Sequence, residues 1–295
     1  MYRMPNIVKS FFLCLLFLTN TASANNTKIR VVTSFSILED LVKELGGKHV
    51  SVVNLVGRNS DAHTYQPKPS DAVAIAKADL VVFNGLEFEG WISRLIHNSG
   101  FKNKQLIASE GVKAMTYSGE IDPHAWQSFH NIRVYIRNIT DTFRTLRPAL
   151  ASVFTQRQAA YLLRLGALEK HLIERLTKIP REKRIVVTSH DAFGYLGREY
   201  DIQFLAPVGL NIEVEASAKD VAAVINQIRE QRVAAIFIEN ITNPRLLQRI
   251  AVETNVAIGG TLYSDALSEE NGSASTYLHM MKHNIESLIA AFGRT

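Results

Sequence analysis

The chain has 295 residues, 46% of them hydrophobic and 21% charged, with a formal charge of +5 and a single cysteine, Cys14. That composition supports one large or two medium cores and excludes a disordered chain, a collagen and a disulfide miniprotein. One thiol cannot build a disulfide, a cysteine zinc site or an iron–sulfur cluster, so any metal must be held by His, Asp or Glu.

The N-terminus has Arg3 and Lys9, then an apolar run from Phe11 to Leu18, then Thr21-Ala22-Ser23-Ala24. This is the pattern of a signal peptide over residues 1–24, with cleavage expected after Ala24. Eight apolar residues span only about 12 Å as a helix, against a hydrocarbon core of roughly 30 Å. Cys14 lies inside the apolar run behind Leu13, where a lipoprotein signal needs a small residue. Removing residues 1–24 takes two basic groups and no acid, leaving 31 Lys and Arg against 28 Asp and Glu. So small an excess, interleaved with acids as in Arg181-Glu182-Lys183-Arg184, gives no nucleic-acid surface. A soluble periplasmic monomer is the expectation.

From Ile29 the pattern alternates. Strand Ile29–Phe35 leads to a helix through Leu45 that stops at Gly46-Gly47. Strand Val50–Val56, a helix capped by Ser70 and running through Ala76, strand Leu80–Phe83, helix Trp91–His97 and strand Gln105–Ala108 follow. Next comes one long helix, placed at 149–180 and ended by Pro180, whose apolar residues from Phe154 to Ile179 recur at helical spacing. Roughly 28 residues would run about 40 Å. Alternation then resumes: strands Arg184–Val187 and Gln203–Leu205, helix Ala218–Gln231, strand Ala234–Ile238, helix Pro244–Thr254, strand Val256–Ile258 and a last helix Ser275–Phe292. The fold class expected is α/β, with two lobes at 25–148 and 181–295, each a mainly parallel sheet flanked by helices, joined by the long helix. A single doubly wound domain is the alternative.

Three of the nine histidines fall in loops after predicted strands: His63 in Asp61-Ala62-His63-Thr64, His124 in Asp122-Pro123-His124-Ala125 and His190 in Ser189-His190-Asp191. A fourth loop supplies Asp265. Ligands of open α/β sheets bind beyond the carboxyl ends of strands, so the two lobes could face these four groups across a cleft. Three imidazoles and a carboxylate make a cage for a first-row divalent ion. Spacing alone leaves them equally open to being ordinary loop residues. His97, His171 and His283 read as solvated helix residues, and His49, His130 and His279 as surface or packing residues. Asp61, Asp122, Asp191 and Glu239 are candidates for orienting the imidazoles. Neither H-E-x-x-H nor G-x-S-x-G occurs, and four protein donors leave no open position for a catalytic water, so no enzyme is expected.

The segments Ala62-His63-Thr64-Tyr65-Gln66-Pro67, Asn84-Gly85-Leu86-Glu87, Asp122-Pro123-His124-Ala125-Trp126, Ser189-His190-Asp191-Ala192-Phe193-Gly194-Tyr195 and Tyr263-Ser264-Asp265-Ala266-Leu267 resemble signature segments of the zinc/manganese solute-binding proteins of bacterial ABC importers. The resemblance runs in order from about residue 29 to the C-terminus. It implies a periplasmic receptor that holds the ion between two lobes with His63, His124, His190 and Asp265, a stiff helical spine, and delivery to a membrane permease. Two departures bear on the metal. The His- and acid-rich insertion of many zinc members is missing from Ala114–Glu120, and His190 stands where many manganese members carry Glu. An imidazole-rich set favours zinc over manganese, with ferrous iron a third option. A secreted metallohydrolase and a surface adhesin are the competing readings.

Overall fold

The structure, a computed structural model, describes residues 28–117, 119–210 and 215–294. The expected signal peptide at 1–24, its cleavage after Ala24 and Cys14 lie outside the described residues. No helix among the described residues is long and apolar enough to cross a membrane.

The first half alternates strand and helix: β1 (Ile29–Phe35), α1 (Ser36–Gly46), β2 (Val50–Val56), α2 (Pro69–Ala76), β3 (Leu80–Phe83), α3 (Ile92–Asn98) and β4 (Lys104–Ile107). The strands form a parallel sheet in the order β2-β1-β3-β4. All four residues of β3 are buried, as a strand covered on both faces requires. A hairpin of β5 (Met115–Tyr117) and β6 (Glu120–Asp122) follows, then α4 (Phe129–Leu146) and α5 (Ala151–Leu176). The second half contains β7 (Ile185–Val187), α6 (Gly194–Tyr200), β8 (Gln203–Leu205), α7 (Ala218–Glu230), β9 (Ala235–Glu239), α8 (Arg245–Thr254), β10 (Ile258–Leu262) and α9 (Tyr277–Phe292). Its parallel sheet has the order β10-β9-β7-β8. Numbered within its own half, each sheet has the same topology: the first strand sends its successor to one side and the third strand to the other. Each therefore has a crevice between its first and third strands, where open α/β sheets bind ligands.

Several boundaries differ from the sequence reading. Helix α2 begins at Pro69, with the Asp71 carboxylate accepting the Lys68 N–H at 2.7 Å, so Ser70 is inside the helix rather than its cap. Strand β10 is Ile258–Leu262 rather than Val256–Ile258, which puts Asp265 three residues beyond a strand end. The long helix is 26 residues, about 39 Å, and stops at Leu176 instead of running to Pro180, because Pro180 has no N–H to donate to the Leu176 carbonyl and its ring would clash with it. Helices α4 and α6 and the β5–β6 hairpin have no counterpart in the expected order.

Helix α5 ties the halves together. Phe154, Tyr161, Leu165, Leu172 and Leu176 are its buried residues. Near its start the Arg157 Nε–H donates to the Glu44 carbonyl of α1 at 2.9 Å, and near its end Arg175 pairs with Glu286 of α9 at 2.9 Å. One apolar core runs through both halves, with a smaller one beside α7 and α8.

Candidate metal centre

The His63 loop follows β2. The Asp61 carboxylate accepts the backbone N–H of His63 at 2.8 Å and of Thr64 at 3.1 Å, a local turn that fixes the loop without touching the imidazole. The Trp91 indole N–H anchors the same loop on the Ala62 carbonyl at 2.8 Å. His124 follows the hairpin strand β6, not a strand of the parallel sheet as expected. His190 follows β7, and an isolated bridge to Val208 extends the β7–β8 pairing to it. Asp265 follows β10; the Trp126 indole N–H and the Gln127 amide both donate to the preceding carbonyl, that of Ser264, at 2.8 and 2.6 Å.

These loops bring the four side chains together. One donor atom from each of His63, His124, His190 and Asp265 lies within 4.8 Å of the other three. The Nε2 atoms of His63 and His124 are 3.3 Å apart. Asp265 Oδ2 is 3.5 Å from His63 Nε2 and 3.3 Å from His190 Nε2, and Oδ1 is 3.6 Å from His124 Nε2. His124, His190 and Asp265 are fully buried, and the His63 side chain is 6% exposed. Of the four, His63 alone lines the adjoining cavity of about 670 Å³. Phe88 packs edge-on against His63 and Trp126 against His124, with ring centroids 4.5 and 5.4 Å apart, so the wall is apolar.

Two carboxylates set the imidazole tautomers. Asp122 Oδ1 accepts the His124 Nδ1–H at 2.8 Å and the His124 backbone N–H at 2.9 Å. Glu239 Oε2 lies 2.7 Å from His190 Nδ1, while its Oε1 accepts the backbone N–H of Ser189 and of His190 at 2.8 and 3.0 Å. With the His124 proton held on Nδ1, its Nε2 presents a lone pair to the cage, and the Glu239 charge beside His190 Nδ1 favours the same tautomer there. Of the four acids named as candidates, Asp122 and Glu239 reach an imidazole; Asp61 and Asp191 do not. Burial pushes Asp191 up to about 6, against the pull of His190.

Burial alone would raise the Asp265 carboxyl, but His124 and His190 hold it well below the usual carboxylate range. Burial likewise lowers His190, and the anions Glu239 and Asp265 overcome it and raise the imidazole well above its ordinary value. Among the described residues, neither oxygen of Asp265 and neither ring nitrogen of His190 has a hydrogen-bond partner, and His190 Nε2 faces Asp265. Buried polar atoms left without partners are costly, and here the Asp265 oxygens and His190 Nε2 converge on one point. Zinc–nitrogen bonds of about 2.0–2.1 Å in a tetrahedron place neighbouring donors about 3.3 Å apart, close to the spacings above.

The other histidines stay outside. His49 packs against Phe154 with centroids 6.1 Å apart, His279 Nδ1 lies 3.3 Å from the Ser275 hydroxyl, and His97, His130 and His171 are exposed. His283, read as solvated, instead donates from Nε2 to the Thr261 carbonyl at 2.9 Å. Trp126 and Gln127 carry no sequence signal as supports of the Asp265 loop, because no spacing rule marks a contact across 138 and 137 residues.

A family model described as "ZnuA: Zinc-uptake complex component A periplasmic" matches residues 31–291. The chain belongs to this family. Among curated ZnuA-family relatives, the manganese-binding lipoprotein MntA of Halalkalibacterium halodurans is 31% identical over 273 residues, covering 92% of this chain and 91% of that one. The iron-binding protein YfeA of Yersinia pestis is 31% identical over 281 residues, 93% and 90% of the two chains. Among solved structures, the periplasmic zinc-binding protein TroA of Treponema pallidum superposes with a TM-score of 0.86 at 29% identity, covering 90% of this chain and 99% of that one. The manganese-bound form of a periplasmic metal-binding protein from Candidatus Liberibacter asiaticus gives 0.82 at 30%, covering 90% and 100%.

Proposed function

We propose that this ZnuA-family chain is the substrate-binding component of a metal ABC importer, capturing a divalent transition-metal ion with His63, His124, His190 and Asp265. The observation that carries the reading is the buried Asp265 carboxylate, both oxygens without a hydrogen-bond donor, facing three Nε2 atoms. An incoming ion exchanges its waters for these donors and satisfies them together. The ion is cargo, handed on to a membrane permease.

Zinc is the ion the donor set favours, because three imidazoles rank it above manganese on the Irving–Williams trend. The names of relatives carry manganese, iron and zinc, so family membership does not choose among them. Both Asp265 oxygens face the histidines, which allows a fifth donor to a larger ion such as manganese. Four protein donors close a tetrahedral ion against substrate water, which argues for a carrier and not a metallohydrolase. We take residues 25–148 and 181–295 as the two lobes and 149–180 as their connector. Export through the signal at 1–24 leaves a free periplasmic monomer starting at Asn25, whereas several relatives are named lipoproteins.

Elemental analysis of protein purified from its native compartment, with zinc and manganese titrations of wild type and His190→Ala, tests the reading. Stoichiometric metal in wild type and its loss in the variant are expected. A wild type that takes up neither ion at micromolar levels overturns the reading, and the N-terminal mass of the same preparation checks the cleavage site.

A further inference from the structure

Tyr195 stands where the two halves meet behind the cage. It is fully buried in α6, five residues after His190. Its hydroxyl accepts the Met115 N–H at 2.9 Å and donates to the Asp122 carbonyl at 2.9 Å. Met115 and Asp122 are cross-strand partners at the base of the β5–β6 hairpin, so one hydroxyl from the second half closes the end of a ladder in the first. Asp122 is also the residue whose carboxylate holds the His124 Nδ1–H.

Gly194 makes the same junction from the next position. A Cβ there would lie 2.7 Å from Asp122 Oδ2 and 3.8 Å from the Met115 methyl. A side chain at this position would have to push the Asp122 carboxylate aside. The Gly194-Tyr195 pair thus fixes the Asp122 backbone through the hydroxyl and leaves room for its carboxylate through the missing side chain.

We propose that Tyr195, with Gly194, is a positioning latch that holds the Asp122–His124 pair of one half in register with His190 of the other and thereby sets how slowly the metal is released. The inference rests on the metal-capture reading above. An ion bound to His190 and His124 leaves when those donors separate, and the latch joins their two halves through contacts outside the cage. It acts at the release step, where the donors must part from a bound ion, whereas an ion entering the metal-free cage has no such bonds to break.

Zinc release into an excess of chelator and zinc association, both by stopped flow on the full mature chain, test this in Tyr195→Phe and Gly194→Ala. Tyr195→Phe removes the hydroxyl and keeps the ring; release about ten-fold faster at unchanged association is expected from the loss of two hydrogen bonds. Gly194→Ala crowds the Asp122 carboxylate with Tyr195 intact and should speed release similarly. The double variant should fall short of the product of the two effects, since both act on one residue. Melting of the metal-free proteins separates positioning from plain support: a lowered melting temperature with release at the wild-type rate in both single variants overturns the latch. His190→Ala is the control for the reading beneath it. If that variant holds zinc as wild type does, the metal-capture reading fails and the latch with it. If it loses zinc while both latch variants release normally, the latch alone fails.

Discussion

Glu239 Oε2 lies 2.7 Å from His190 Nδ1 across the crevice between β9 and β7, and both groups are fully buried. The first sheet is bridged at the equivalent place by another glutamate: Glu89 accepts the Ser34 hydroxyl at 2.6 Å and the Asn84 N–H at 2.7 Å. One bridge orients a donor of the cage and the other only closes its crevice, so the same topology serves different ends in the two halves.

Replacing Glu239 with Gln keeps an acceptor for the Ser189 and His190 amides and removes the charge beside Nδ1. Carboxylate partners of ligating histidines commonly contribute about 10- to 100-fold to affinity, and a loss of about that size is expected for zinc. Competition with a chelator of known affinity measures it. Unchanged affinity would mean that Glu239 serves the backbone alone.

The raised His190 makes binding a proton exchange. In the metal-free protein its folded value lies above the ordinary 6.5, so its stabilising contribution is complete below about pH 6.5 and is lost as pH rises through the raised value. The metal needs neutral imidazole. The rise in melting temperature produced by zinc should therefore grow as pH rises from about 6.5 through the raised His190 value, with protons released on binding. Calorimetry in buffers of different ionisation enthalpy counts them; an increment independent of pH would contradict this account.

Asp265→Asn preserves shape and removes the anion that holds the cage together. Loss of zinc affinity by more than about 100-fold is expected, together with a return of His190 toward its ordinary value, since one of its two anionic neighbours is gone. Titration of the His190 ring by NMR in the metal-free variant reads the second effect independently of the first.

Glu89 yields a stability test away from the metal. Burial pushes its carboxyl up to about 7 against the donors Ser34, Asn84 and Gly85, so the folded state keeps a proton that the unfolded chain releases near 4.5. Stability contributed by this group falls as pH rises from about 4.5 to 7. Glu89→Gln should flatten that part of the melting profile, and an identical slope in variant and wild type would show that another group sets it.

Trp126→Phe removes the indole donor to the Ser264 carbonyl while Gln127 still donates to it. The cost expected is about 1–2 kcal/mol, or a few degrees of melting temperature in a chain of this size. Zinc affinity should fall as well, because the carbonyl belongs to the residue before Asp265.

Much of this architecture was legible in the chain. The β-branched runs at β1, β2 and β3 declared themselves, whereas loop position made His63, His124, His190 and Asp265 only candidates, and the resemblance of their segments to those of metal solute-binding proteins singled them out. Helix α4 was overlooked although Phe129, Ile132, Ile136, Ile139 and Phe143 mark one face, because Arg133, Arg137 and Arg144 break the apolar run. Strand β10 was misplaced because two of its five residues are glycines, poor strand formers held there by pairing with β9. Adjacency named Asp61 and Asp191 as imidazole partners as readily as Asp122, since which way a carboxylate turns depends on what else it can accept. Contacts such as Tyr195 with Asp122 join residues 73 apart and leave no local trace.

The continuous core also bears on the order in which the chain can become safe. Tyr277, Met280, Met281, Ile285 and Leu288 of α9 join the same core as Leu41 of α1 and Tyr161 of α5. A chain made from its N-terminus presents those earlier apolar faces to its surroundings until the last helix arrives. The shared core is thus incomplete until α9 joins it, and during that interval the uncovered apolar faces are open to aggregation.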